Sequence, residues 1–128
     1  MKSLTFLTAA VMMAMSMPQV GIAADGQLAT SQIRDAVLDG TGTLIARDGS
    51  VVTAYFGPTG ELRGEYKEQK FIGHWSAADD QLCLDLPETV DDGCWVIVHR
   101  HDSHFQLFTL VGRPVSNLEI ERGNPNNY

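Results

Sequence analysis

The sequence predicts a mainly β fold: an antiparallel meander of about eight strands forming a small barrel or sandwich, preceded by one short helix. Three observations carry this expectation. After Gly40 the apolar pattern changes from a helical period to alternation. Turn residues recur at short intervals, as in Asp48-Gly49, Gly57-Pro58-Thr59-Gly60 and the charged run Lys67 to Lys70. The connections are too short for helical crossovers, so consecutive strands must pair antiparallel.

The elements follow in order. Ser31 is placed to cap a helix that runs through Val37, with Ile33, Ala36 and Val37 on one face and Gly40 as the glycine that ends it. Thr43 to Arg47 forms the first strand, and Asp48-Gly49 is a strong hairpin signal leading into Val51 to Phe56. After the Gly57 to Gly60 turn, Glu61 to Tyr66 alternates Leu62, Gly64 and Tyr66 against Glu61, Arg63 and Glu65, which describes a strand with one wet face. Phe71 to Ser76, Gln81 to Leu86, Gly93 to Val98, His104 to Val111 and Asn117 to Glu121 continue the series. The tail Gly123 to Tyr128 is polar turn chemistry.

The first 24 residues are expected to be a signal peptide. Lys2 supplies the positive start, Leu4 to Met17 is an apolar stretch too short to span a bilayer, and Gly21, Ala23 and Ala24 supply the small residues of a cleavage site. Residues 25 to 128 then form a single β domain, periplasmic or secreted, with no stable membrane insertion after cleavage. The chain carries 9 Lys+Arg against 16 Asp+Glu, a net charge of −7, and loss of Lys2 makes the mature protein more acidic still. Such a chain has no basic cluster to displace counterions from phosphate backbones, which excludes nucleic acid as a partner.

Export decides how the two cysteines read. Cys83 and Cys94 are an even count in an oxidising compartment, and the expected state is a structural disulfide. Strict alternation puts Cys83 with Gln81 and Asp85, and Cys94 with Val96 and Val98. On that reading one cysteine sits at a bulge or at the sheet margin.

Across residues 31 to 125, the order Gly40-Thr41, Tyr55-Phe56-Gly57-Pro58-Thr59-Gly60, Gly73-His74-Trp75, Leu82-Cys83-Leu84, Cys94-Trp95 and Gly123-Asn124-Pro125 resembles a group of small exported proteobacterial proteins of unknown function. The resemblance implies a Cys83–Cys94 disulfide and a periplasmic or secreted location, and it transfers no catalytic residue. Gly73-His74-Trp75 also looks like the Gly-x-Trp of lipocalins, although there it lies on the first strand and here on the fourth. Gly73, Trp75 and Trp95 are expected to be structural, with glycine admitting a close backbone and tryptophan packing across a barrel end.

One constellation suggests metal chemistry. In His99-Arg100-His101-Asp102-Ser103-His104, alternation puts His99 and His101 on one face and the Asp102-Ser103 turn returns His104 toward them, a set suited to zinc or copper. The competing reading is a solvated hairpin tip. Asp79-Asp80 and Asp91-Asp92 read as solvated turn charge, since no calcium-loop spacing accompanies them. With no nucleophile elbow and both cysteines committed, the chain is not expected to be an enzyme. The expected function is an exported binding or interaction module, whose partner is a small apolar ligand in the barrel or another envelope protein. The alternatives are a periplasmic metal-binding protein using His99, His101 and His104, or an inhibitor of a secreted hydrolase.

Overall fold

A computed structural model describes residues 26–46, 48–86 and 93–128; the expected signal peptide, Arg47 and Asp91-Asp92 lie outside them. One helix, α1 (Thr30–Val37), precedes eight strands: β1 (Gly40–Ile45), β2 (Val51–Phe56), β3 (Glu61–Tyr66), β4 (Gln69–Ala78), β5 (Gln81–Asp85), β6 (Gly93–His101), β7 (His104–Phe108) and β8 (Pro114–Arg122). Each strand pairs antiparallel with the next, and β8 returns to β1, with Leu44 opposite Leu118 and Thr41 opposite Glu121. The expected meander is thus a closed barrel, in which every strand has an antiparallel neighbour on both sides.

Alternation sorts the side chains as the sequence requires. Val52, Ala54 and Phe56 of β2, Leu62 and Tyr66 of β3, Trp75 and Ala77 of β4, and Leu82 and Leu84 of β5 all point into one buried cluster. Helix α1 closes one end of this barrel by burying Ile33 and Val37 in the same cluster. Two glycines are required by close approach. A Cβ on Gly64 would lie 2.2 Å from the Thr53 carbonyl oxygen, and one on Gly73 would lie 2.2 Å from that of Asp85.

Three local expectations are corrected. The helix is not capped by Ser31: residue 29 is the N-cap, and its alanine methyl group offers no acceptor. The acceptor comes instead from the β4–β5 turn, where Asp80 Oδ1 receives the Thr30 amide at 2.9 Å. Gly40 does not end the helix. Asp39 takes the left-handed conformation with φ 55°, and Gly40 is already the first residue of β1, opposite Arg122. Finally, neither cysteine needs a bulge. Cys83 and Cys94 face one another directly across β5 and β6, bonded through sulfur, with Cα atoms 4.0 Å apart. Among the described residues their strands pair over Leu82–Trp95, Cys83–Cys94 and Leu84–Gly93, a shorter ladder than those of the other neighbouring strands. The disulfide staples this short seam at its middle pair. Beyond that seam the sheet is extended by the chain before the helix, with the Leu28 amide on the Ile97 carbonyl at 2.9 Å and the His99 amide on the Gly26 carbonyl at 2.8 Å.

Candidate functional site

The first candidate is the barrel interior. Among the described residues it holds a cavity of about 10 Å³ lined by apolar side chains, among them Phe56, Leu62, Leu84, Leu86 and Leu118. That is room for about one water molecule, against roughly 300 Å³ or more for a small-molecule site. Around it, the inward side chains of β2, β3, β4 and β5 pack as one buried cluster.

Gly73 and Trp75 belong to this packed interior. Trp75 lies edge-on to Phe56, with ring centres 5.7 Å apart, and its Nε1–H donates to the Gly57 carbonyl at 2.9 Å. Its backbone amide donates to Gly60. The tryptophan thus pins the β2–β3 turn to the barrel end, the work an amphipathic indole does when its N–H finds a partner. Trp95 is half-buried on β6 and packs against the same core, opposite Leu82.

The histidines lie on the β6–β7 hairpin. His101 faces His104 across the two-residue turn, with ring centres 4.5 Å apart and planes inclined by 33°. His104 Nε2 sits 2.9 Å from Glu119 Oε1 on β8, and His101 Nδ1 lies 3.9 Å from Asp102 Oδ2. His99 is placed elsewhere. A register shift separates it from His101, its ring lies 5.0 Å from that of Phe105, and its Nε2 is 2.8 Å from the Asp102 carbonyl oxygen. The structure therefore brings together two of the three expected histidines. Among the described residues, no three His, Cys, Asp or Glu side chains converge as ligands of one ion.

At the end of the barrel opposite the helix, the β1–β2, β3–β4 and β7–β8 hairpins emerge. Asp48 in the first of them accepts from Tyr66 Oη at 2.6 Å and from Lys67 Nζ at 2.7 Å. These contacts, led by Lys67, hold its carboxyl well below the usual carboxylate range. They also steady Lys67 and Glu68, which form their turn at φ 50° and 64°, a conformation that side chains other than glycine adopt at a cost. Ile45 and Val51 form an outward pair across β1 and β2. The Ile45 amide donates to Ser116 Oγ at 3.1 Å, beside exposed Val115, and the β7–β8 turn adds Leu110 and Val111, 61% and 77% exposed. At the other end of the barrel, Tyr55 Oη donates to Asp39 at 2.5 Å, and this hydrogen bond, followed by desolvation and the carboxylate's charge, raises the phenol's pKa.

Asp80, the Asp48–Tyr66–Lys67 cluster and this aliphatic rim were not legible as sites, because each is assembled from segments far apart in the chain. Asp-Gly at residues 48 and 49 signals a turn and nothing of its partners. A scan against protein-family models and searches of curated proteins and of solved structures each found no match for the chain. The Cys83–Cys94 disulfide suits an oxidising compartment, and among the described residues no helix is long and apolar enough to cross a membrane.

Proposed function

We propose that the protein is an exported recognition module that binds another protein with its outer surface and carries no catalytic site. The observation that supports this reading is the packed interior: among the described residues, the cavity of about 10 Å³ is far smaller than the apolar ligand suggested by the barrel fold would need. Recognition then falls to the exterior. The rim of Ile45, Val51, Leu110, Val111 and Val115 supplies exposed apolar area on a scaffold closed by hydrogen bonds and one disulfide. A stiff scaffold loses little conformational entropy on association. The net charge of −7 favours a basic partner, whose approach it would accelerate. A positively charged secreted hydrolase is one such partner, and inhibition is then the consequence of occupying it.

The test is a photoreactive residue placed at Val111 in protein exported by its own cell. One discrete protein adduct is expected, lost when Leu110→Asp is introduced beside it and weakened by high salt. No adduct, or an adduct indifferent to Leu110→Asp, overturns the reading.

A further inference from the structure

We infer that His101 and His104 form a two-imidazole site for a divalent transition-metal ion on the β6–β7 hairpin, from which His99 is excluded. The site is independent of the protein-binding rim, which lies at the other end of the barrel. Its basis is geometric. An ion about 2.0–2.1 Å from each ligating nitrogen sits about 3.2 Å from each ring centre, so two cis imidazoles at about 90° have centres about 4.5 Å apart. The His101 and His104 rings stand at 4.5 Å. Their backbone positions are directly opposed across a two-residue turn, which sets the two side chains beside one another.

His104 has a carboxylate on one nitrogen and the other available: Glu119 Oε1 lies 2.9 Å from His104 Nε2, which leaves Nδ1. Asp102 Oδ2, 3.9 Å from His101 Nδ1, is beyond hydrogen-bond reach and leaves both nitrogens of His101 available to an ion. A carboxylate behind an imidazole fixes the ring and raises its basicity toward a metal, the usual support for a histidine ligand. Both rings are solvent-accessible, 68% and 46% exposed, so rotation about χ2 can turn the free nitrogens toward a common ion and water can complete its coordination. Two cis imidazoles with open positions suit the tetragonal preference of Cu²⁺, which also binds nitrogen donors most tightly of the divalent first-row ions. His99 takes no part, since its Nε2 is engaged with the Asp102 carbonyl oxygen and its ring with Phe105.

The test is titration of the full exported chain with Cu²⁺, followed by calorimetry and by electron paramagnetic resonance. One ion with two nitrogen ligands is expected. His101→Ala and His104→Ala each weaken binding tenfold or more and remove the two-nitrogen signature, Glu119→Gln weakens it a few-fold, and His99→Ala and His74→Ala leave it unchanged. Equal binding by the wild type and the His101→Ala/His104→Ala double variant overturns the proposal. So does a His99→Ala variant that loses as much affinity as His101→Ala.

Discussion

Thr30 and Asp80 hold one another by reciprocal hydrogen bonds: Asp80 Oδ1 accepts the Thr30 amide at 2.9 Å and its hydroxyl at 3.2 Å, while Thr30 Oγ1 accepts the Asp80 amide at 2.8 Å. The contact joins the first turn of α1 to the β4–β5 hairpin, 50 residues away in sequence. It supplies the cap that Ala29 cannot, and it places a negative charge at the positive end of the helix. The plug and the barrel wall are thereby fastened as one unit.

Asp80→Ala should lower stability by about 1 kcal/mol, the usual cost of a lost helix cap. Asp80→Asn keeps an acceptor and tolerates the left-handed backbone of φ 58°, so it should cost less. Urea denaturation of both variants checks the order. Equal losses would mean that the cap's acceptor is not what Asp80 contributes.

The disulfide closes a sequence separation of 11 residues, for which the chain-entropy relation gives about 3 kcal/mol. The Cys83→Ser/Cys94→Ser variant should be less stable by about that amount, measured by urea denaturation. Because the staple lies on a ladder of three residue pairs among the described residues, hydrogen exchange in that variant should rise first at β5 and at Gly93 to Trp95 of β6. Uniform loss of protection around the barrel would contradict this.

Gly73→Ala should be among the most damaging single-atom additions. Its new methyl group would meet the Asp85 carbonyl oxygen, a backbone atom that cannot rotate aside, at a cost of about 1–3 kcal/mol or more. Trp75→Phe should cost about 1–3 kcal/mol through the Gly57 carbonyl left without its donor. Thermal denaturation followed by circular dichroism reads both.

Asp48 gives the acid limb of the stability curve. Its folded pKa lies below the ordinary value of 3.8, chiefly because of Lys67 and then Tyr66, so its contribution is present above about pH 4 and is lost as the pH falls through the lowered value. Asp48→Asn should be less stable than the wild type at pH 7, and the difference should shrink as the pH drops below 4. A difference that stayed constant from pH 7 to pH 2 would show that the charge is not what matters.

Much of the barrel was legible because alternation and turn chemistry agree. β2 and β3 begin and end where the sequence predicts, since Asp48-Gly49 and Gly57 to Gly60 bracket clean alternation. β1 begins earlier than expected, because Gly40-Thr41-Gly42 reads as turn chemistry. In the barrel Gly42 is small because the Phe56 ring and Leu118 approach it, and a Cβ there would lie 2.9 Å from the ring. β8 begins at Pro114, whose missing N–H is tolerated at a strand's first residue, and no sequence pattern announced it. The facing of His101 and His104 follows from a two-residue hairpin. The exclusion of His99 and the arrival of Glu119 depend on a register shift and a neighbouring strand, neither of which alternation encodes.

A packed interior and an apolar ligand held in the barrel are told apart by native mass spectrometry of protein recovered from its own cell. With the interior packed, the expected mass is that of the disulfide-bonded chain with no apolar small molecule attached. A stoichiometric apolar adduct, retained in the gas phase and lost on unfolding, would contradict it.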